Sequence, residues 1–258
     1  MSISILQLNI NADIKWENLL SYLEDHEYDI LTFQEVAGIG TKVGNINCTH
    51  DTYKELQNKL QEKYAGELVI TDYVSSSENA YFGNAIFYKK TFNLIDKHVK
   101  FMKQNTQPFP SDAKGFENYG RAVLHLTLEK DNQSLSVLTT HFAWAKTSNE
   151  EPHQTQQGEI LFQYMQTVSH PFVLTGDFNL TPEQPVIKKL STLARNLTSQ
   201  NNISNTLNPR IHYAQHLFPK GLAIDYIFVT PDIRVKEMKV IEDLDLSDHL
   251  AVEATVEI

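Results

Sequence analysis

Asp177 and Asn179 in Gly176-Asp177-Phe178-Asn179, and Asp248 and His249 in Ser247-Asp248-His249, are the residues whose types and spacing best suit chemistry. Asn9, Glu35, His141 and Asp225 join them because each stands where an apolar stretch gives way to polar residues. Carboxylate and amide oxygens are hard ligands for a divalent cation, and imidazoles can neutralise or protonate an oxygen. Hydrolysis of a phosphoester draws on all of these. It needs charge neutralisation on the phosphoryl oxygens, an aligned water, and a proton or cation for the leaving oxygen.

Each residue also has a plainer reading. Asn9 alone is a turn former and Glu35 alone a solvated strand end. Asp177 before Phe178-Asn179 can be an Asx turn, and Asp248-His249 a structural pair. Asp225 lies inside the apolar run Ile224 to Phe228, where an unpaired carboxylate would be costly, so a histidine or metal partner is implied.

The elements that must position these side chains follow from apolar periodicity. Strands are predicted at Ser2 to Ile10, Asp29 to Val36, Tyr81 to Lys89, Arg121 to Glu129 and Ser134 to His141, the last two joined as a hairpin over Lys130 to Gln133. Further strands are predicted at Phe172 to Thr175, Ala223 to Val229, Val235 to Ile241 and Val252 to the end. Trp16, Leu19, Leu20 and Leu23 recur at helical spacing, and Gln154 to Val168 reads as a second helix. Thr181-Pro182-Glu183-Gln184 reads as a capping box with proline at the first helical position, so a helix is expected to start right after that motif. Hairpins mixed with helical crossovers argue against a purely parallel sheet and for two sheets packed face to face with helices outside. The least regular segments, 38–51, 104–119 and 145–153, are the expected specificity loops.

Composition narrows the class. The chain has 258 residues, 41% hydrophobic and 21% charged, which suits one folded domain over 1–258. The single cysteine, Cys48, rules out an internal disulfide framework. No run approaches the roughly 18 apolar residues of a membrane span. With no signal-peptide pattern at Met1, the expected location is the cytoplasm, or outside the cell if a leader has been trimmed. The net charge of −10 disfavours a broad electrostatic grip on a polyanion but leaves room for a compact phosphate site. Lys89-Lys90 and Lys188-Lys189 read as solvated faces, and no protein partner is implied.

Taken together, Leu8-Asn9-Ile10, Phe33-Gln34-Glu35, Thr140-His141, Thr175 to Asn179, Ile224 to Ile227 and Ser247 to His249 carry a pattern that resembles the endonuclease/exonuclease/phosphatase superfamily. The resemblance implies a deoxyribonuclease I-like α/β fold, a four-layer α/β/β/α sandwich of two mixed sheets. It also implies a metal-dependent phosphoric ester hydrolase using Mg²⁺, with Mn²⁺ as a substitute. In that pattern Glu35 would be the principal metal ligand, helped by Asn9, with Asp248 on the metal side. Asp177 would align or deprotonate the attacking water, and Asn179 would hold the scissile phosphate. His249, oriented by Asp225, would stabilise the phosphoryl oxygens or share proton transfer. His141 would protonate the leaving oxygen or bind phosphate. A phosphodiester of DNA or RNA is the expected substrate class; the alternatives are an inositol phosphate, a sphingomyelin-like headgroup, or a silent interaction module.

Asn84, Arg121 and Trp144 divide between cleft and structural readings. His26, His50, His98, His125, His153, His170, His212 and His216 show no ligand-like spacing and read as surface or core histidines.

Overall fold

The computed structural model describes every residue except 44–45, 112–114, 146–148, 169–170 and 214. In chain order the elements are β1 (Ser2–Asn9), α1 (Trp16–Asp25), β2 (Ile30–Ala37), β3 (Lys42–Val43), β4 (Ile46–Asn47), α2 (Thr52–Leu60), β5 (Tyr64–Tyr73), β6 (Tyr81–Lys89) and β7 (Asn93–Lys103). They continue with β8 (Arg121–Lys130), β9 (Gln133–His141), α3 (Pro152–Met165), β10 (Phe172–Asp177), α4 (Pro185–Leu190), β11 (Arg195–Asn196), α5 (Leu197–Gln200), β12 (Asp225–Val229), β13 (Arg234–Ile241) and β14 (Ala251–Glu257).

Two six-stranded sheets form the body, ordered β13-β14-β1-β2-β6-β5 and β11-β12-β10-β9-β8-β7. Both are mixed. β1 and β2 run parallel across α1, β9 and β10 run parallel across α3, and the other neighbours in these sheets are antiparallel.

The layering follows from which parity of each strand is apolar. On β1, Ile3 and Ile5 join Leu124, Leu126, Val137 and Val173 in the layer between the sheets, while Leu6, Leu8 and Ile10 pack against Trp16, Leu19 and Leu23 of α1. The apolar run of β1 is therefore buried on both faces. Helices α3 and α4 cover the far side of the second sheet through Leu161, Met165, Ile187 and Leu190. This is the expected four-layer α/β/β/α arrangement. Among the described residues, no helix is long and apolar enough to cross a membrane.

A helix does follow Thr181 to Gln184, but the capping box expected there does not form. Thr181 to Gln184 forms a turn closed by the Gln184 N–H donating to the Thr181 carbonyl at 3.1 Å, and α4 starts only at Pro185. The residue before a proline is excluded from helical angles, and Gln184 sits extended at φ −71°, ψ 146°. A helix begun at Pro182 could not pass that point. The capping box instead stands at the start of α3, where the Glu151 N–H donates to Gln154 Oε1 at 3.0 Å and Pro152 occupies the first turn.

The hairpin over Lys130 to Gln133 holds, with Asp131 and Asn132 both at positive φ as a two-residue loop requires. The sequence periodicity does not predict strands β5 and β7 or helix α2. β7 is an edge strand with most of its residues exposed, and β5 lacks strict alternation of burial. Lys89 and Lys189 face solvent and pair with Glu27 and Glu159, as surface lysines do.

Candidate active site

Between the sheets the apolar layer turns polar toward one end. Gln7 follows Ile3 and Ile5 on the same face of β1, and its amide donates to Gln34 Oε1 at 2.9 Å and to Asp225 Oδ1 at 3.0 Å. Gln34 in turn donates to Thr139 Oγ1 at 2.9 Å. These buried groups satisfy one another across the two sheets, as low-dielectric burial demands.

Beyond this layer, the strand ends converge on a cavity of about 560 Å³. Glu35 reaches it because β2 breaks register between Phe33 and Val36, with Glu35 itself at φ 53°. A bulge of this kind re-aims one side chain where a regular strand would alternate it away. At the end of β10, Gly176 has φ 150° and any Cβ there would collide with the Thr140 carbonyl. That position needs glycine, which explains the Gly before Asp177. Asn179 then takes φ 50°, and its N–H donates to Asp177 Oδ1 at 2.9 Å. The Asx turn is thus present, and it fixes Asp177 in the cavity instead of competing with that role.

Asn9 ties two of the acids together, its amide N–H donating to Glu35 Oε1 at 3.1 Å and to Asp177 Oδ2 at 3.0 Å. Its oxygen accepts from the Asn11 N–H at 3.0 Å. Expected as a metal-ligating helper, Asn9 here turns its donor side to the carboxylates and braces them. Asn11 donates to Asp248 Oδ2 at 2.7 Å.

Asp225 is fully buried and fully partnered. His249 Nδ1 lies 2.9 Å from its Oδ2, Thr206 Oγ1 donates to the same oxygen at 2.7 Å, and Gln7 holds the other. The other ring nitrogen of His249 lies 3.7 Å from Asp177 Oδ2. Burial alone would lower the His249 imidazole, but the carboxylates of Asp225 and Asp177 outweigh it and hold it well above its ordinary value. Burial pushes the Asp177 carboxyl up to about 7, against the opposing pull of His249.

His141 Nε2 sits 3.5 Å from Asp177 Oδ2 and 3.8 Å from Glu35 Oε1. Asn179 Nδ2 lies 3.2 Å from that nitrogen and also donates to the Phe142 carbonyl at 3.0 Å, which fixes the amide's orientation. Burial, then the nearby Arg121 and His249 charges, keep the His141 ring well below its usual value. All eight residues singled out in the sequence thus meet at one place: Glu35, His141, Asp177, Asn179, Asp248 and His249 line the cavity, with Asn9 bonded to Glu35 and Asp177 and Asp225 behind His249.

Neighbours complete the lining. Arg121 is 8% exposed, lies over the Tyr119 ring with its guanidinium carbon 5.6 Å from the centroid, and its Nε has no hydrogen-bond partner among the described residues. It lines the cavity, so the surface salt-bridge reading is set aside. Asn84, 2% exposed, donates to the Ala122 carbonyl at 3.2 Å and faces the same space, as does Trp144. The three expected specificity loops contribute Ile46, Gly115 with Tyr119, and Ala145; residues 44–45, 112–114 and 146–148 of those loops lie outside the described set.

A fourth loop, 207–224, also lines the cavity. It brings His212 and Tyr213 to the cavity, and an isolated bridge pairs Leu207 with His249. His212, read as a surface or core histidine, packs edge-on to His249 with ring centres 5.9 Å apart. Burial, then the His249 charge, lowers its pKa to about 4. No spacing signal could have found it, since only the fold of this loop brings it beside Asp248. His170 lies outside the described residues.

The donor set fits a hard divalent cation. Glu35 is raised from its ordinary value first by burial and then by repulsion from Asp248, a repulsion that a cation between them would remove. Ligand atoms of His212, Asp248 and His249 lie within 4.8 Å of one another, as do those of Asp177, Asp225 and His249. In the second group Asp225 and His249 are already joined by their own hydrogen bond, which occupies a ligand atom of each.

Fold and site together define a metal-dependent hydrolase of phosphoester bonds. The chain belongs to the Endonuclease/Exonuclease/phosphatase family, whose sequence profile matches residues 6–249. Solved structures repeat the fold. An endonuclease/exonuclease/phosphatase from Bacteroides vulgatus is 20% identical, covers 100% of this chain and 99% of its own, and has a TM-score of 0.75. The catalytic domain of human nocturnin with bound sulfate is 20% identical, with 99% and 93% covered and a TM-score of 0.72. A mannosyl-6-phosphatase from Bacteroides thetaiotaomicron is 16% identical, with 99% and 100% covered and a TM-score of 0.72. No curated protein matches the chain by sequence.

Proposed function

We propose that the chain hydrolyses a phosphoester with Mg²⁺, or Mn²⁺ in its place, held by Glu35 and Asp248 while Asn9 braces Glu35. Bound there, the cation would supply charge neutralisation on the phosphoryl oxygens. Asp177 aligns the attacking water and takes its proton at Oδ2. A new P–O bond forms as the bond to the leaving oxygen breaks, and that oxygen takes a proton from solvent while Asp177 returns the one it accepted to solvent. His249, kept charged by Asp225, and the Asn179 amide stabilise the phosphoryl oxygens. His141 contacts the leaving side, and Arg121 offers its guanidinium to a phosphate.

The observation that carries this reading is the convergence of Glu35, Asp177 and His249 on one cavity, with His249 fixed by Asp225 at 2.9 Å. It is supported by the sulfate held in the nocturnin neighbour, a tetrahedral oxyanion like phosphate.

A nucleic-acid phosphodiester is the substrate class expected from the sequence. The lining favours a second reading, a compact phosphoester such as a sugar, inositol or lipid-headgroup phosphate. Arg121 is the lone Lys or Arg among the described lining residues, whereas Tyr119, Trp144, Tyr213 and Phe218 supply aromatic walls. A neighbour in fold is a mannosyl-6-phosphatase. A substrate panel of single- and double-stranded DNA, RNA, inositol phosphates, sugar phosphates and sphingomyelin, run at low and high salt, separates the two. A compact substrate gives turnover with a shallow salt dependence. A polymer turned over with a steep salt dependence contradicts that choice.

A further inference from the structure

Asp72 is a buried carboxylate with no part in the hydrolysis. It stands near the end of β5, is 4% exposed, and lines the same cavity as Glu35 and Asp177. Both of its oxygens accept hydrogen bonds. The Gly120 N–H donates to Oδ2 at 2.7 Å, and Asn105 Nδ2 donates to Oδ1 at 2.7 Å. These donors favour the ionised form, against burial, which raises the carboxyl above its ordinary value.

The chain fixes Asp72 beside Arg121. Gly120 lies so close to β5 that a Cβ there would collide with the Thr71 carbonyl, and Arg121 comes next. On the other side of Arg121, the Ala122 carbonyl accepts from Asn84 of β6 at 3.2 Å. Two hydrogen bonds thus clamp the chain before and after Arg121 to the ends of β5 and β6. Burial lowers the Arg121 guanidinium from its ordinary value, and Asp72 opposes this ahead of Glu35 and Asp177. No ion pair joins Asp72 to Arg121 among the described residues, and Arg121 Nε has no hydrogen-bond partner there. Asp72 therefore offsets the cation without using up its donors.

We propose, on the phosphoester reading above, that Asp72 is a specificity-determining residue whose fixed negative charge restricts the cavity to a substrate with one phosphate group and an uncharged remainder. Elsewhere in the site the charges are already matched. A bound cation would offset Glu35 and Asp248, and His249 faces Asp225 and Asp177. Arg121 is the lone Lys or Arg among the described lining residues, so with Asp72 beside it no positive charge is left for a second acidic group. Lys103 also acts on Asp72, but its ammonium donates to the Glu117 carbonyl at 2.7 Å and it is not among the described lining residues. Around Asp72 and Arg121 the lining is otherwise uncharged, from Thr71, Phe82, Gly83, Asn84 and Tyr119. Through an effective dielectric of about 20, a unit charge about 10 Å away changes an affinity by roughly ten-fold.

The test measures binding of glucose 6-phosphate and glucose 1,6-bisphosphate to Mg²⁺-saturated protein by calorimetry, a readout that needs no turnover. Wild-type protein is expected to bind the monophosphate at least as tightly as the bisphosphate. Asp72→Asn is expected to tighten bisphosphate binding and to shift the ratio of the two affinities at least ten-fold toward it. Damage to the fold weakens both ligands, so a gain in affinity isolates the charge. Arg121→Gln leaves Asp72 unopposed and is expected to shift the ratio at least ten-fold the other way. That variant decides the matter if Asp72→Asn protein fails to fold by circular dichroism. A ratio unchanged in either folded variant, a wild type that prefers the bisphosphate, or no binding of either ligand to wild-type protein overturns the assignment. Metal-independent hydrolysis of bis-p-nitrophenyl phosphate would instead strike the hydrolase reading, so the two failures are distinct.

Discussion

The layer between the sheets has two ends built from the same strands, and they differ in what those strands are asked to do. At one end Ile3, Ile5, Leu126 and Val137 fill the space with apolar side chains. At the other, the same face carries Gln7, Gln34 and Thr139, then Asn9, with Asp225 opposite. The apolar end gains its stability from area removed from water, roughly 1.5–3 kcal/mol per fully buried aliphatic side chain. The polar end gives up that gain and uses its hydrogen bonds to hold carboxylates close together. One sheet pair therefore supplies a rigid base and a reactive rim, and substitutions at the two ends should separate cleanly into stability and activity.

The largest separation is expected at Asp177. Asp177→Asn should lower kcat by about 10³-fold, while removal of a buried carboxylate leaves urea stability unchanged or raised. A kcat within a few-fold of wild type would remove Asp177 from the reaction. At the apolar end, Leu126→Ala should cost about 2–5 kcal/mol in urea unfolding, because Leu126 is fully buried, with kcat per folded molecule retained. If kcat fell instead, the base and the rim would not be separable.

Asp225→Asn probes the join between the two ends. It keeps the shape but withdraws the charge that holds His249, and a loss in activity of about 10- to 100-fold is expected with a smaller change in stability. A purely structural role would show the reverse. The smallest of these effects is expected at Arg121. Arg121→Lys keeps the charge but loses the planar fork, so KM should rise by about ten-fold with kcat largely kept. An unchanged KM would mean that the guanidinium does not reach the substrate.

The strand ends are legible in the sequence because each is an apolar run that stops at a polar residue. Asn9, Glu35, His141 and Asp177 can therefore be placed from residue pattern alone, as can two mixed sheets with helices outside. Asp225 is legible in a stronger sense, since its apolar neighbours demand a partner and His249 is that partner. Loop 207–224 is not legible. His212 sits between Ile211 and Tyr213 with no periodicity, and it reaches the cavity only because Leu207 pairs with His249. The register break that turns Glu35 inward is hidden too, for a bulge leaves no mark in composition. Helix α4 follows Thr181 to Gln184, but its first proline is Pro185 and not Pro182, because Pro185 holds the residue before it out of helical angles.

The central claim, that these strand ends form a metal-dependent phosphoester hydrolase site, is tested most directly by the hydrolysis of bis-p-nitrophenyl phosphate after chelation and restoration of metal. Wild-type protein should lose activity on chelation and regain it with Mg²⁺ or Mn²⁺, and Asp177→Ala protein should stay inactive under both conditions. Hydrolysis that survives chelation, or that persists in Asp177→Ala protein free of other hydrolases, would contradict it.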